Sequence, residues 1–198
     1  QVVLSGAIVY SEEMARKIAR KIDGIIDYVF VDAEKKISNK YSMSGEPGNI
    51  ERSVKEIIKK SVLISYKSND LTVDATDAFI SEYFSKDIVG IGGKKIAIIG
   101  VGNIGSKLAQ KLVERGASVR LYRRNREKLN LIVKQINTTK SKYTVAQASS
   151  ALSVNEACKD ADILIGATDG IPVIDASIIN NLPIDSLLID IGKGSISE

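Results

Sequence analysis

The stretch "KKIAIIGVGNIGSKLAQKLVERGASVRLYRR", residues 94–124, carries the strongest structural signal in the chain. Its apolar run at 96–99 predicts a buried strand that leads directly into a Gly-x-Gly-x-x-Gly pattern. Apolar residues then recur at four-residue spacing, at Ile104, Leu108 and Leu112. They predict a helix that ends at Gly116, followed by a second strand at Ser118–Tyr122. This order of elements predicts an α/β fold that binds a dinucleotide.

The glycines of this turn have separate physical roles. Gly100 permits a tight turn, Gly102 lets a pyrophosphate approach the backbone, and Gly105 allows the helix to pack closely on the strand. The positive N-terminus of the helix, at Asn103 and Ile104, suits a phosphate group. We therefore predict that all five residues bind the cofactor; the alternative is a glycine-rich turn without a ligand.

The second strand ends in "LYRRNREK", residues 121–128, with three arginines. Enzymes that prefer NAD carry an acidic residue about 20 positions beyond the first glycine, where it accepts the ribose hydroxyls. Arg123 stands at that strand end, beside Arg124 and Asn125. Because guanidinium groups bind phosphate through charge-assisted hydrogen bonds, we predict NADP rather than NAD as the cofactor. The alternative interpretation is a solvated basic loop.

The composition excludes several function classes. The 198 residues include no histidine and one cysteine, which argues against a metal site. The net charge is only +4 and aromatic residues make up 5%, which disfavours a nucleic-acid surface. No apolar run approaches the ~20 residues of a membrane helix, and the first residues show no signal-peptide pattern. We expect a cytoplasmic protein with a small-molecule substrate, no nucleic acid and no membrane partner.

Two more apolar strands are predicted at 161–168 and 186–192, with a short helix near 175–181 between them. Ligands of open parallel sheets bind at the carboxyl ends of the strands. Thr168 and Gly192 stand at those ends, so we add both to the predicted cofactor site.

The first half of the chain predicts a smaller α/β region. A strand at 7–10, a helix that starts at Ser11 and a strand from Asp27 would form a βαβ unit over residues 7–33. A helix over 50–60 follows.

Residues 61–75 predict a β-hairpin that turns at Ser68–Asp70, and residues 76–84 predict a connecting helix. We thus expect a Rossmann-type doubly wound parallel sheet at 89–198 and a smaller, incomplete or reduced N-terminal α/β domain at 1–88. Because the chain opens on Gln1 rather than Met, we also expect a fragment of a longer protein.

Four stretches together resemble the shikimate dehydrogenase superfamily, including its amino-acid-dehydrogenase-like Rossmann domains. They are "NDLTVDATDAFISEYF" (69–84), "GGKKIAIIGVGNIGSKLAQKL" (92–112), "VRLYRRNREK" (119–128) and "ADILIGAT" (161–168). The resemblance implies that Arg124 clamps the 2′-phosphate, with Arg123 and Asn125 in the flanking positions of the motif.

The same resemblance implies a catalytic role for Asp77, which falls on a Thr-Asp motif of the family. The family pairs this carboxylate with a lysine, and Lys36 and Lys40 are the candidates in the corresponding neighbourhood. A second interpretation makes Asp77 a helix N-cap. With no histidine and no Tyr-x-x-x-Lys pair, an internal proton donor must be Lys, Asp, Glu or an unpaired Tyr.

These expectations converge on an NADP-dependent oxidoreductase that moves hydride to or from a small hydroxy, keto or imino acid. A non-catalytic NADP(H)-binding sensor or regulatory module is the alternative. The sequence leaves the oligomeric state open, with a homodimer as one arrangement.

Overall fold

The chain divides into two compact units, Gln1–Asn69 and Asp70–Glu198. A computed structural model describes residues 2–34 and 48–197. The division precedes the domain boundary predicted at 88/89, because the helix before the glycine-rich region packs with the second unit's core through Val73 and Ile80. In the described residues no helix is long and apolar enough to cross a membrane.

In its described residues, 2–34 and 48–69, the first unit contains two helices and a two-stranded parallel sheet. Its elements are α1 (Glu12–Ile22), β1 (Tyr28–Asp32), α2 (Ile50–Ile57) and β2 (Val62–Tyr66). Ser11 caps α1 by accepting a hydrogen bond from the Met14 N–H, as its position before an amphipathic stretch predicts. One face of the sheet packs Val29 and Val31 against Ala15 and Ala19 of α1.

Two predicted elements of this region are wrong. Residues 7–10 are irregular, and Ile8 and Tyr10 are largely exposed, because a short apolar run forms a strand only when a neighbouring strand pairs with it. The hairpin at 61–75 is replaced by β2 followed directly by a helix. Ser68–Asp70 opens that helix instead of turning the chain, since Ser, Asn and Asp favour helix starts as well as turns.

The second unit contains a five-stranded parallel sheet of order β5-β4-β3-β6-β7. Its elements are α3 (Ser68–Tyr83), β3 (Lys95–Ile99), α4 (Asn103–Glu114), β4 (Ser118–Tyr122), α5 (Arg126–Thr139), β5 (Ala148–Ser150), α6 (Val154–Cys158), β6 (Ile163–Gly166), α7 (Ala176–Asn180) and β7 (Leu187–Asp190). From β3 the chain continues through β4 and β5 toward one edge of the sheet, and from β6 it continues to β7 at the other edge. The predicted Rossmann-type doubly wound sheet is therefore confirmed.

Each face of this sheet has its own apolar core, because alternate residues of a strand point to opposite faces. In β3, Ile96 and Ile98 join the core that includes α4 and α5, whereas Ala97 and Ile99 join the core that includes α6 and α7. Cys158 lies in the second core, where burial raises the pKa of its thiol to about 11. Helices thus cover both faces of the sheet.

Two helical leucines of the second unit should differ widely in how much they contribute to the free energy of unfolding. Leu112 of α4 is fully buried, whereas Leu131 of α5 is 66% exposed. Leu112→Ala should lower the free energy of unfolding by about 2–5 kcal/mol, since it removes buried methyl groups and leaves a cavity. Leu131→Ala serves as the control and should change it by less than about 0.5 kcal/mol. Urea unfolding measures both, and equal losses would contradict the assignment of α4 to the core.

Candidate functional site

The glycine-rich turn lies where the strand order of the sheet reverses. β3 and β6 are hydrogen-bonded neighbours, but the chain continues from them toward opposite edges of the sheet. The connections that leave their carboxyl ends therefore diverge and open a crevice, which is where ligands of such sheets bind. Gly100 follows β3 and Ala167 follows β6, so both belong to this crevice.

Gly100 and Gly105 are places where the backbone approaches too closely for a side chain. A Cβ at Gly100, whose φ is +97°, would lie 2.5 Å from the Ala167 carbonyl oxygen. A Cβ at Gly105 would lie 2.5 Å from the Gly100 carbonyl oxygen. The predicted roles in turn formation and in helix–strand packing therefore have a direct geometric basis.

Gly102 differs from these two glycines because it borders open space. A Cβ built there would meet nothing within 4 Å. Gly102 is the N-cap of α4 and provides no side-chain cap, while Asn103 begins the helix and Ile104 packs on the core below. The first turn of α4 can thus offer backbone N–H groups to an anion in front of Gly102.

The basic residues after β4 are used in different ways. Arg123 donates from Nη1 to the Val101 carbonyl oxygen at 2.7 Å, and Arg126 donates from Nη2 to the Leu152 carbonyl oxygen at 2.9 Å. Arg124 is exposed. Asn125 caps α5 by accepting from the Lys128 N–H at 2.9 Å. Of the two exposed residues among the predicted 2′-phosphate ligands, Asn125 is engaged as a cap, and Arg124 is the exposed cation at this strand end.

A carboxylate organises the loop that follows β7. Asp190 accepts hydrogen bonds from the backbone N–H groups of Gly192 at 2.9 Å, Gly194 at 2.9 Å and Ser195 at 3.0 Å. Burial raises the pKa of Asp190, but these N–H groups and the Ser195 hydroxyl outweigh burial and hold that pKa below 3.8. Lys193, in the same loop, is exposed and has a φ of +56°.

Thr168 and Ser195 connect this loop to the end of β6. Their hydroxyl oxygens lie 2.8 Å apart, and the Thr168 N–H donates to the Ser195 hydroxyl at 3.2 Å. A Cβ at Gly192 would collide with the Thr168 carbonyl and the Ser195 hydroxyl, so only glycine fits. The structure thus brings the predicted residues Thr168 and Gly192 together at the same sheet edge as Gly100.

Asp190 and Ser195 were not among the predicted site residues. The available signal was the sequence "DIGKGS" (190–195), in which an aspartate precedes two glycines at the end of an apolar strand. Such an aspartate commonly accepts hydrogen bonds from the backbone N–H groups that follow it.

Asp77 lies away from the glycine-rich turn. Its side chain is 6% exposed and pairs with Arg115 at 2.8 Å and Lys111 at 3.3 Å, both near the C-terminal end of α4. Lys111 is eight residues after Asn103, which separates it from the turn by about 12 Å along the helix. The alternative interpretation of Asp77 as an N-cap is wrong, since α3 begins at Ser68.

Asp77 belongs to a row of ion pairs between α3 and α4, which we call the α3–α4 ladder. Its pairs are Asp70–Lys107, Asp74–Lys111, Asp77–Lys111 and Asp77–Arg115. The acids recur at helical spacing on α3 and the bases do so on α4, a pattern that the sequence could have revealed. The two predicted catalytic lysines, Lys36 and Lys40, lie outside the described residues.

The burial of Asp77 predicts a structural role. Asp77→Asn should lower the free energy of unfolding by about 1–3 kcal/mol, because it removes a buried charge partner of Arg115. Asp74 is 64% exposed, and the matched control Asp74→Asn should cost less than about 1 kcal/mol. Urea unfolding gives these values. A variant of normal stability that binds cofactor but has lost turnover would instead support a catalytic Asp77.

The hydrogen bonds of Asp190 predict a loss of stability in acid. Because its pKa is lowered in the folded state, Asp190 contributes stability above pH 3.8, and that contribution is lost as the pH falls through the folded value. Because Asp190 is exposed and water screens its charge, Asp190→Asn should lower the free energy of unfolding at pH 7 by less than about 1 kcal/mol and flatten its acid dependence. Asp185→Asn, at another exposed aspartate, is the control. Unfolding curves from pH 7 to pH 3 measure both, and parallel curves for wild type and Asp190→Asn would contradict this role.

Comparisons with solved structures show the fold. An L-alanine dehydrogenase is 21% identical, with 63% of this chain and 37% of that chain covered and a TM-score of 0.50. Ornithine transcarbamoylase from Giardia lamblia is 11% identical, with 90% and 60% covered and a TM-score of 0.53. L-tryptophan dehydrogenase from Nostoc punctiforme is 15% identical, with 95% and 49% covered and a TM-score of 0.50.

The chain thus spans between 37% and 60% of the length of these structures. Because a transcarbamoylase stands beside two dehydrogenases, the fold alone does not select a chemistry. No curated protein matches the chain.

A family comparison is more specific than the fold. Residues 95–194 match the family described as "NADP oxidoreductase coenzyme F420-dependent". The match supports a dehydrogenase-like Rossmann domain but not the predicted link to shikimate dehydrogenase in particular. It extends from β3 through the glycine-rich turn to the loop held by Asp190, about half of the chain, and the chain therefore belongs to this family of oxidoreductases.

Proposed function

We propose that the second unit binds NADP(H) and that the protein is an oxidoreductase acting on a small hydroxy, keto or imino acid. The observation that carries the proposal is the open backbone at Gly102, at the N-terminus of α4 and in the crevice between β3 and β6. A pyrophosphate needs such a side-chain-free approach to backbone N–H groups.

The basic end of β4 supports NADP over NAD. Arg124 is exposed one position from Arg123, whose guanidinium reaches the turn, so both charges lie at the edge where an adenine ribose would sit. An acidic residue in this position would repel a 2′-phosphate, whereas Arg124 can bind it with two parallel hydrogen bonds. The description of the family also names NADP.

The opposite end of the crevice fits the nicotinamide. Thr168 and Gly192 each lie two residues beyond the end of a strand, β6 and β7, which are adjacent, and Asp190 and Ser195 hold the loop beside them. When bound, the cofactor supplies the hydride chemistry, and this chain's part is to orient it and exclude competing reactions. Rigid hydrogen bonding at the strand ends serves that orientation.

The substrate side of the proposal rests on the resemblance to the shikimate dehydrogenase superfamily. On this basis we keep Lys36 or Lys40 as the proposed proton donor of this chain. The family description also names coenzyme F420, which makes this coenzyme a second hydride partner to test. A non-catalytic NADP(H) sensor is the other candidate, and the observation that favours it is the pairing of Asp77 with Arg115 away from the glycine turn.

Selective loss of NADPH binding tests the cofactor assignment. Arg124→Ser should weaken NADPH binding by about 10- to 100-fold, because one charge-assisted contact is lost, and should leave NADH binding unchanged. Arg126→Ser is the matched control. It removes an equal charge two residues further along, from a side chain that already donates to the Leu152 carbonyl, and it should have little effect on the binding of either cofactor. Calorimetric titration at fixed salt measures all affinities. Failure of the wild type to bind either cofactor would refute the proposal.

Turnover then separates the enzyme from the sensor. Oxidation of NADPH is followed with keto acids, imino acids and oxidised coenzyme F420 as acceptors, using the complete natural chain. Turnover with any of them supports the oxidoreductase. Tight NADPH binding without turnover supports the sensor.

A further inference from the structure

Arg123 makes a contact that the sequence did not foreshadow. Its position follows from the register of the sheet: Ile99 of β3 pairs with Tyr122 of β4, and the Gly100 N–H donates to the Tyr122 carbonyl at 3.0 Å. Continued by one residue, this register places Arg123 beside Gly100, the residue directly before Val101. From there the Arg123 guanidinium reaches the Val101 carbonyl oxygen at 2.7 Å.

This contact fixes one peptide plane of the glycine-rich turn. The carbonyl of Val101 and the N–H of Gly102 belong to the same planar peptide group, in which they point in opposite directions. Holding the carbonyl on the side of Arg123 therefore directs the Gly102 N–H away from Arg123. Val101 is also held through its side chain, which packs in the core, since the residue is only 1% exposed.

Gly102 is restrained on its helical side, where its carbonyl accepts a hydrogen bond from the Ser106 N–H at 3.0 Å, but its own N–H precedes the intrahelical hydrogen bonds of α4. It lacks a Cβ, and the space where a Cβ would lie is open to a distance of 4 Å. A glycine in open space samples many backbone conformations, and restricting it on binding costs free energy. An external hydrogen bond on the preceding carbonyl removes part of that freedom before a ligand arrives. It also turns the carbonyl, which would repel a phosphate, toward a positive charge.

We propose that Arg123 is a positioning residue that presets the Gly102 N–H for the pyrophosphate, whereas Arg124 alone reads the 2′-phosphate. The inference rests on the proposed function and refines it. It separates two arginines to which the sequence assigned one shared role. Since NAD and NADP have the same pyrophosphate, the two arginines must affect the two cofactors differently.

Single variants at the two positions test this division. Arg123→Met keeps the aliphatic stem but removes the donor, and it should weaken NADPH and NADH binding by a similar factor, about tenfold. Arg123→Lys retains a donor for the Val101 carbonyl and should restore part of both affinities. Arg124→Ser should weaken NADPH alone. Calorimetric titrations of the full chain with both cofactors measure these changes.

A measurement without cofactor gives an independent readout. Backbone order parameters of the Gly102 N–H, obtained by NMR relaxation, should fall in ligand-free Arg123→Met and stay at the wild-type value in Arg124→Ser. Selective loss of NADPH binding in Arg123→Met would make Arg123 a ligand of the 2′-phosphate and overturn the inference. Unchanged order parameters together with unchanged affinities would also overturn it.

The failure of the proposed function has a different signature. Wild-type protein that binds neither cofactor would refute NADP(H) binding and, with it, the role of Arg123 in presenting Gly102 to a pyrophosphate. The order parameters would then still decide whether Arg123 holds the turn.

Discussion

The close approach of backbone to backbone at the carboxyl ends of β3 and β6 is the constraint on which the site depends. At Gly100, Gly105 and Gly192 the space for a Cβ is already filled by carbonyl oxygens or by the Ser195 hydroxyl. These contacts let α4 begin directly at the edge of the sheet and bring the loop after β7 against Thr168. Among the three glycines of the motif, Gly102 is the one where packing leaves room for a side chain.

Most of the second unit could be predicted because several local signals agree there. Strand β3 is apolar, the glycines follow it at once, and Leu108 and Leu112 recur on one face of α4. The helix α5 and the short strand β5 were not predicted, although Asn125 as an N-cap and buried Leu129 and Ile136 gave a signal for α5. Strand β5 has three residues, too few for a periodic pattern.

The first unit was harder to predict because its elements depend on their partners. The strand β2 is largely exposed, and its sequence reads equally well as an arm of a hairpin. Its parallel pairing with β1, Tyr28 opposite Val62, joins segments separated by a whole helix. No local pattern reports such a pairing. For the same reason residues 7–10, which have a similar apolar character, could not be distinguished from a true strand.

In the candidate site, too, features set by neighbouring residues could be predicted, whereas contacts between residues distant in the sequence could not. Its glycines were identified from spacing alone, and the structure gives each a geometric reason. The contacts of Arg123 with Val101 and of Asp77 with Arg115 join residues 22 and 38 positions apart, which no motif encodes. The sequence therefore indicates which residues are charged near the site. The fold decides which of these charges meet a ligand and which meet the protein.

The α3–α4 ladder also has a consequence for how these helices can diverge among relatives. Asp70 and Asp74 are partly exposed, so water can replace their lysine partners at little cost. Asp77 is buried, and losing Arg115 alone would leave its carboxylate without its nearest charge. Substitutions at 70, 74 and 107 should therefore accumulate independently, whereas Lys111 is shared with the buried Asp77. Positions 77 and 115 should change together, as a covarying pair in which an apolar side chain at 77 accompanies an uncharged one at 115.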